Sequence, residues 1–254
     1  MDDKYQSKLV CIIPIRNESK IIEKLYKNIE NCIKEHPGQA FILALDNCTD
    51  ETLHNLKNMV RHKNIFIFES DSDPGYGNIV RFGFAKAHSL GYEWGLVIDS
   101  DLSSPLSEIP KISQLISKTV NSKIVIIKGN RFKNAKPDFV GVPVKRLILS
   151  KTANRFTRIL GSGNSKDLTN GFRAVKLEWF INQIFRESGF SSIMEEAYRA
   201  ISGGNLILDF ETSLRYDLAV RVDSSFTFKP KTIMSYVLYT VRIWGVTIKQ
   251  KIKI

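Results

Sequence analysis

The chain has 254 residues and a hydrophobic content of 43%, which is typical of a globular protein with a sizeable core and suits one large α/β domain or two small ones. Its 37 Lys and Arg residues against 26 Asp and Glu residues give a formal charge of +11, which favours anionic partners, but no nucleic-acid-binding motif accompanies the charge and we expect no nucleic-acid partner. No apolar run reaches the roughly 18 residues that a membrane-spanning helix needs.

The first half of the chain alternates short apolar runs with amphipathic stretches. The apolar runs have the length of buried strands, and the amphipathic stretches place their apolar residues on one helical face. Strands that alternate with helices predict a mostly parallel sheet covered on both faces. The predicted strands are Leu9–Ile13, Phe41–Leu45, Ile65–Phe68, Trp94–Ile98 and Ile124–Ile127, and the predicted helices are one capped by Ser19, one capped by Thr49, and two over about 78–90 and 107–119.

The second half is less regular. Its patterns predict helices over about 144–160, 178–186 and 193–201, and a strand over Leu206–Phe210. A stretch of Gly, Ser and Asn over 161–165 indicates a loop between the first two of these helices.

Polar residues follow four of the predicted strands. The carboxyl ends of parallel strands meet at one edge of a sheet, where open α/β proteins bind their ligands. Any one of these connections alone is more often a helix cap or a turn, but four along one edge predict a nucleotide cleft. They are residues 14–18, 46–50, 73–78 and 99–101.

Asp99–Ser100–Asp101 is the most specific of the four connections, because two carboxylates one residue apart follow a buried strand. Two hard oxygen ligands suit Mg²⁺ or Mn²⁺ that is completed by substrate phosphates. A solvated, Asp-rich turn is the alternative interpretation of the same triplet.

The motifs of the chain follow one another in an order that resembles the family 2 glycosyltransferases with the GT-A fold. The second half resembles the polyprenyl-phosphate branch of that family, which includes dolichol-phosphate mannose and glucose synthases. The motifs are Pro14-x-x-Asn17–Glu18, Asp46, a glycine-punctuated loop that leads to Arg81, Asp99-x-Asp101, Gly129–Phe132, Pro143–Arg146, Asp167–Ala174, Met194–Glu195 and Arg221.

The resemblance implies a Rossmann-like α/β fold with a mostly parallel central sheet flanked by helices and a less regular acceptor-binding C-terminal part. It implies one glycosyltransferase domain over 1–228, with a nucleotide-sugar-binding half over 1–128 and an acceptor-binding half over 129–228. A basic, amphipathic helix and tail over 229–254 then complete the chain.

The resemblance also implies the residues of the donor site. Asp99 and Asp101 would hold Mg²⁺ or Mn²⁺ beside the diphosphate of the nucleotide sugar. The remaining residues implied on the donor side are Pro14, Arg16, Asn17, Glu18, Asp46, Asn78, Arg81 and Ser100.

The implied reaction is an inverting transfer of a hexose, from a nucleotide sugar of the GDP-mannose or UDP-glucose type to polyprenyl phosphate, at the cytoplasmic membrane face. The implied catalytic residues are Asp101, Arg131, Arg146 and Glu195. The residues implied around the acceptor phosphate and the sugar are Asp167, Gly171, Phe172, Arg173 and Arg221.

The chemistry of the acceptor leaves alternatives open. A phosphate monoester is mostly ionised at pH 7 and needs cationic clamping rather than a general base, which the basic stretch Lys128–Arg158 favours. A hydroxyl of a cell-surface glycan would need a carboxylate base, for which Glu195 is the candidate, although Glu195 is equally suited to an i,i+4 ion pair with Arg199. A non-catalytic nucleotide-sugar-binding subunit stays open, since Asn47 and Ser103 depart from the family pattern.

The C-terminal stretch from Ile233 to Ile248 is amphipathic, contains Trp244 and is followed by lysines. This pattern predicts either an interfacial membrane anchor or a helix packed on the protein's own core. A polar N-terminus and three widely spaced cysteines favour the cytoplasm, so we expect a peripheral protein on the cytoplasmic membrane face. A membrane-anchor subunit or a second copy of the chain is a further candidate partner.

Overall fold

A seven-stranded sheet forms the centre of the computed structural model, which describes residues 8–101, 105–120, 122–131, 139–140, 155, 165–212, 214–215 and 230–252. Ser103, Arg146, Arg221 and most of the helix predicted over 144–160 lie outside these described residues.

The strand order in the sheet is β3-β2-β1-β4-β7-β5-β8. Every pairing is parallel except those of β7, which runs antiparallel to both β4 and β5. The prediction of a mostly parallel sheet is therefore confirmed. The strands are β1 (Leu9–Ile15), β2 (Ala40–Asp46), β3 (Ile65–Ser70), β4 (Trp94–Val97), β5 (Ile124–Asn130), β7 (Arg173–Lys176) and β8 (Leu206–Glu211), and a separate parallel pair is formed by β6 (Phe139–Val140) and β9 (Leu214–Arg215).

Helices cover both faces of the sheet, and each face has its own apolar core. The core on one face includes residues of α1, α2 and α4, and the core on the other includes residues of α3, α5, α6 and α7. The helices are α1 (Ile22–Glu35), α2 (Thr52–Met59), α3 (Tyr76–Ser89), α4 (Ile109–Ser117), α5 (Leu177–Ile181), α6 (Ser192–Ser202) and α7 (Pro230–Ile252), and a 3₁₀ turn over Leu106–Glu108 precedes α4.

Strand β7 is absent from the sequence predictions. Its four residues are Arg-Ala-Val-Lys, too short and too charged at both ends to resemble a buried strand. It forms because β4 and β5 offer it a hydrogen-bonding edge on either side. Strand β5 is also three residues longer than predicted, and this extension carries the buried Lys128 into the sheet.

The loops after β1 and β2 are joined by hydrogen bonds between them. Asn17 adopts a positive φ of 53°, a conformation that Asn tolerates better than most residues, and its side-chain oxygen accepts the Thr49 N–H at 2.8 Å. Asp50 accepts the backbone N–H groups of Ser19 and Thr52 at 3.1 and 3.0 Å. The predicted caps are therefore wrong: Ser19 and Thr49 serve this loop junction, and α1 and α2 begin later, at Ile22 and Thr52.

The Asp50 carboxylate gives the loop junction a pH dependence. Partial burial would raise the pKa of Asp50, but the hydrogen bonds from Thr52 and Ser19 outweigh burial and lower the pKa to about 2. A carboxylate whose pKa is lowered by folding stabilises the fold above its unfolded pKa, and this contribution disappears as the pH falls through the folded value.

We expect the variant Asp50→Asn to lower the free energy of unfolding by about 1 kcal/mol near pH 7, because the charged acceptor of two backbone N–H groups is lost. Urea unfolding of both proteins at about pH 7 and about pH 3.5 measures this difference, which shrinks at the lower pH. Glu51→Gln, at the exposed neighbouring position, is the control. A difference that is independent of pH would contradict the role of the Asp50 charge.

Candidate active site

Five strands bring polar residues to one edge of the sheet. The parallel strands β1, β2, β4 and β5 end there, and the antiparallel β7 begins there. Because β7 lies between β4 and β5, the segment that precedes it, residues 167–172, lies between the acidic end of β4 and the arginine at the end of β5. The predicted cleft is thus lined by strand ends from both halves of the chain.

Asp46 ends β2 and is only 4% exposed. One of its carboxylate oxygens accepts the backbone N–H of Gly75 at 3.1 Å, and Nη1 of Arg16 lies 3.8 Å from the same oxygen. Pro14 lies in β1 beyond Ile12, the last residue that β1 pairs with β4, so it occupies a part of the strand that has only β2 as a neighbour. The structure therefore places Pro14, Arg16 and Asp46 around the ends of two adjacent strands.

Asp99 and Asp101 follow β4, and both are half-buried. Between them, the Ser100 hydroxyl lies 3.1 Å from a carboxylate oxygen of Glu18, and this hydrogen bond joins the β4 loop to the β1 loop. Gly171 passes so close that a Cβ at this position would lie 3.7 and 3.8 Å from the two oxygens of Asp99. The predicted residues Glu18, Asp99, Ser100 and Gly171 are therefore neighbours.

The acidic pair is the candidate metal site. No group of three or more His, Cys, Asp or Glu residues that could hold a metal occurs within the described part of the chain. Two carboxylates match the way in which Mg²⁺ is bound beside substrate phosphates, with water and phosphate oxygens contributing to the shell. The carboxylates of Asp99 and Asp101 therefore fit a metal ion that binds together with a diphosphate.

Arg131 follows β5 and is held by Asp167, which is fully buried. Arg131 donates to this carboxylate from its backbone N–H, from Nε and from Nη2, at 3.1, 2.7 and 2.9 Å. Burial would raise the pKa of Asp167, but the charge and hydrogen bonds of Arg131 outweigh burial and lower the pKa. The pair therefore stays ionised and holds the guanidinium at the end of β5.

Arg173 is fully buried and forms a bidentate ion pair with Glu196 of α6, with N–O distances of 2.5 and 2.6 Å. Nη1 also donates to the Gly171 carbonyl at 2.7 Å and to the Tyr76 hydroxyl at 3.4 Å. Arg173 therefore acts beneath the cleft, where it holds Gly171 and Tyr76 beside Asp99.

Phe172 occupies the core rather than the cleft. Its side chain is 2% exposed and packs edge-on against Phe210 of β8, with ring centroids 5.7 Å apart. Its implied place around the sugar is corrected accordingly, because alternation along the chain points its side chain away from the face that carries Arg173.

Arg81 and Asn78 hold two loops together. Arg81 donates to the backbone carbonyl of Glu187 at 2.9 Å and to the side-chain oxygen of Asn78, while Asn78 donates to the carbonyl of Asp73 at 2.7 Å. Both side chains thus bind other parts of the protein. The geometry therefore favours a supporting role for Arg81 and Asn78 behind the predicted donor site over direct contact with the nucleotide.

The glycine-punctuated loop packs closely against the loop that contains Glu187 and Ser188, and this close contact requires Gly75 and Gly77. A Cβ at Gly75 or Gly77 would overlap the backbone carbonyl oxygen of Ser188 or Glu187. The intervening Tyr76 stacks on Phe190, with ring centroids 4.4 Å apart. The close approach fixes the position of Tyr76 next to Asp99 and Gly171.

Glu195 is buried in α6 and is occupied by structural bonds. Its carboxylate accepts the backbone N–H groups of Arg186 and Glu187 at distances of 2.8 to 3.0 Å, and Nη2 of Arg199 lies 3.5 Å from Oε1. The i,i+4 ion pair with Arg199 is therefore present. The geometry favours this structural alternative over the catalytic role, and the carboxylate that reaches the sheet is the adjacent Glu196.

Lys128 is a further charged residue at the site that the sequence analysis missed. It lies in β5 and is 1% exposed. Burial and the nearby Arg173 lower its pKa to about 7, although the carboxylates of Glu196, Asp167 and Asp209 act in the opposite direction. Lys128 directly follows the apolar run of the predicted strand Ile124–Ile127, and this position at a strand end was the signal that could have identified it.

Comparison with known proteins identifies the family of this chain. Residues 10–183 match the profile of glycosyl transferase family 2. A UDP-N-acetylglucosamine--dolichyl-phosphate N-acetylglucosaminyltransferase of Methanococcus voltae is 26% identical over 179 residues, which are 65% of this chain and 68% of that protein. A dolichol-phosphate mannosyltransferase of Pyrococcus furiosus is 25% identical over 242 residues, which are 93% of this chain and 63% of that protein.

The fold is also that of a solved structure, the glucosyl-3-phosphoglycerate synthase from Mycobacterium tuberculosis in complex with Mn²⁺, UDP-glucose and phosphoglyceric acid. The superposition has a TM-score of 0.60 at 15% identity and covers 93% of this chain and 79% of the other. The GT-A fold expected from the motif order is thereby confirmed.

The Arg173–Glu196 pair gives a stability prediction. We expect Glu196→Gln to lower the free energy of unfolding by about 3 kcal/mol, because it leaves the buried Arg173 without its counter-charge. The double variant Arg173→Met/Glu196→Leu recovers most of this loss, since neither charge then remains buried. Urea unfolding measures both effects, with the exposed Glu178→Gln as the control. A double variant less stable than Glu196→Gln would contradict this account.

Proposed function

Because this chain belongs to glycosyl transferase family 2, we propose that it transfers a hexose from a nucleotide sugar to polyprenyl phosphate with inversion at the sugar carbon. The observation that carries the proposal is the placement of Asp99 and Asp101 across β7 from Arg131. Two strand spacings, about 10 Å, separate the ends of β4 and β5, so a diphosphate at the acidic pair and a phosphate at Arg131 would lie on opposite sides of the transferred sugar.

The donor side of this cleft is the region of Asp46, Glu18 and the acidic pair. In this proposal the nucleoside lies against the ends of β1 and β2, near Arg16, Asn17 and Asp46, with its diphosphate directed towards Asp99 and Asp101. The hydrogen bond between Ser100 and Glu18 holds the two halves of this donor site together.

Asp99 and Asp101 are the residues that would hold Mg²⁺ or Mn²⁺. When bound, the metal supplies positive charge that stabilises the departing diphosphate. The protein's own contribution is to fix the two carboxylates: the Ser100–Glu18 hydrogen bond anchors their loop, and Tyr76 and Gly171 form the wall beside Asp99.

Arg131 is proposed to bind the acceptor phosphate on the other side of the cleft. A phosphate monoester has a second pKa of about 6 and attacks as an oxyanion, so it needs no general base. It needs a planar, bidentate cation, which arginine supplies better than lysine. Both dolichyl-phosphate relatives named above support this acceptor class.

A hydroxyl acceptor is less consistent with the geometry, because the carboxylate of its candidate base, Glu195, binds backbone N–H groups. Arg146 and Arg221 lie outside the described residues and stay predictions of further acceptor contacts.

Helix α7 is proposed to bring the protein to the lipid surface. Its inner face packs on α6, where Tyr239 and Ile243 are buried and Tyr239 lies beside Tyr198. Its outer face carries seven exposed apolar side chains, flanked by the basic residues Arg242 and Lys249. The seven are Ile233, Met234, Val237, Leu238, Val241, Trp244 and Ile248.

This outer face supports a peripheral mode of attachment. An exposed apolar stripe next to basic residues is typical of a helix that lies in an anionic membrane interface. Among the described residues, no helix is long and apolar enough to cross a bilayer. Both alternatives predicted for this helix are thus compatible with one geometry, in which one face packs on the protein and the other is available to lipid.

The proposed reaction is tested by a donor screen with a short polyprenyl phosphate and detection by mass spectrometry. We expect Asp101→Asn to reduce transfer about a thousandfold, since it removes one of two charged ligands beside the leaving group. Arg131→Met is expected to raise the acceptor KM about thirtyfold, while the donor KM changes little. The exposed Asp71→Asn is the matched control.

Full activity of Asp101→Asn with divalent metal chelated would refute the proposed donor site. Product with a glycan hydroxyl alone would select the other acceptor class.

The membrane face is tested by sedimentation with liposomes that contain anionic lipid. Val241→Glu/Trp244→Glu is expected to lower the bound fraction about tenfold, because it places two carboxylates in the apolar stripe. Val120→Glu changes an apolar residue that is more exposed than either of these, near the end of α4 on the opposite face of the sheet, and is expected to bind as the wild type does. Equal binding of both variants would show that α7 is not the membrane face.

A further inference from the structure

The sheet beneath Arg131 carries three charged side chains in one row. Lys128 of β5 pairs with Arg173 of β7 on one side and with Asp209 of β8 on the other. Residues paired directly across neighbouring strands project from the same face of the sheet. Helix α6, which carries Glu196, packs on β5 from this face. Lys128 is thus surrounded by charges on the sheet and on the helix that covers it.

Lys128 is the unpaired member of this cluster. It is 1% exposed, and none of the ion pairs formed among the described residues includes it. Asp209, by contrast, accepts hydrogen bonds from Ser165, Lys166 and Asn130. A buried ammonium that forms no ion pair is costly to the fold, so the position of Lys128 beneath Arg131 and near Asp167 calls for a functional explanation.

Asp167 connects Lys128 to the proposed acceptor site. This buried carboxylate holds Arg131 through three N–H groups, and the charge of Lys128 acts on the same carboxylate. The guanidinium of Arg131 has five N–H groups, and Asp167 accepts from Nε and from Nη2, so N–H groups remain to bind a phosphate while Asp167 stays bound. The single positive charge of Arg131 is then shared between two anions, and a second cation near the fully buried Asp167 offsets this deficit.

We propose that Lys128 is a charge-compensating positioning residue, which supplies the positive charge beside Asp167 while Arg131 binds the acceptor phosphate. This inference rests on the proposed function, because it assumes that Arg131 receives an anionic acceptor. In a protein whose Lys128 is neutral, binding of the phosphate is accompanied by the uptake of one proton from solvent, which converts the amine to an ammonium.

The surroundings of Lys128 make this step depend on pH. The charged groups that face it are Arg173 from β7, Asp209 from β8, Glu196 from α6 and Asp167 from the segment before β7. Because burial and Arg173 lower the pKa of Lys128 to about 7, the free protein holds less ammonium as the pH rises above this value.

The acceptor phosphate and the described Tyr236 both keep their charge between about pH 7 and 9. The acceptor phosphate is already a dianion above a pKa of about 6. Tyr236, which α7 places near Arg131, Arg173 and Asp167, has a pKa that burial raises above its usual value, so it stays neutral. Acceptor affinity should therefore fall as the pH rises above about 7, towards the roughly tenfold weaker affinity that we expect when Lys128 carries no charge.

The test is the acceptor KM for a short polyprenyl phosphate at several pH values, measured at saturating donor. For the wild type we expect this KM to rise about tenfold between about pH 7 and 9. For Lys128→Met we expect an acceptor KM about tenfold higher at pH 7 and independent of pH, with kcat and donor KM changed less than about twofold. Lys123→Met, which removes an exposed lysine just before the same strand, is expected to behave as the wild type.

A double-mutant cycle distinguishes charge compensation from a general packing effect. In the background of Asp167→Asn the carboxylate that shares the charge of Arg131 with the phosphate is absent, so Lys128→Met is expected to have no further effect on the acceptor KM. We also expect Lys128→Met to melt at or above the wild-type temperature, which damage to packing would not produce. The wild-type pH profile requires no variant and tests the inference even if a variant fails to fold.

A flat wild-type profile, or an equal effect of Lys128→Met in both backgrounds, would overturn the role of Lys128 and leave the proposed reaction intact. A wild type that uses no polyprenyl phosphate at any pH would overturn both.

Discussion

The ion pair between Arg173 and Glu196 is the interaction on which the rest of the site depends. It joins the sheet to α6 directly beneath the cleft, and it is fully buried, so neither partner can leave without exposing the other to an apolar environment. Through the same guanidinium it holds the Gly171 carbonyl and reaches the Tyr76 hydroxyl, which form the wall beside Asp99. One buried cation therefore sets the distance between the acidic end of β4 and the basic end of β5.

This arrangement explains why the chain inserts a short antiparallel strand into an otherwise parallel sheet. An antiparallel β7 begins at the edge where its parallel neighbours end, so residues 167–173 reach the cleft between two strand ends. A parallel strand at this place would deliver its carboxyl end instead, and the loop that holds Arg131 through Asp167 would lie at the opposite edge. The topology thus brings acidic and basic groups from distant parts of the sequence into one row.

Much of the fold could be predicted from the sequence, because buried parallel strands are continuous apolar runs and their polar ends are easy to locate. The residues proposed for the donor side, Asp46, Asp99 and Asp101, follow directly from this pattern. The assignments of Phe172, Arg81 and Glu195 were less accurate, since a motif shows which residues recur and does not show which way a side chain points. Phe172 packs in the core, Arg81 bonds to a backbone carbonyl, and Glu195 holds a loop. Arg146 and Arg221 lie outside the described residues.

The sequence by itself determined the order of strands and helices from β1 to β5, the family, and the triplet Asp99–Ser100–Asp101 at the end of β4, because all of these depend on local periodicity and on neighbouring residues in the chain. Only the tertiary structure decided which charges meet. The choice of Glu196 over Glu195 as the partner of Arg173 depends on how α6 is rotated against the sheet. The burial of Lys128 between Arg173 and Asp209 depends on the register of β5 with two strands that are distant in sequence. Such contacts are set by packing across the fold, for which a linear pattern carries no direct signal.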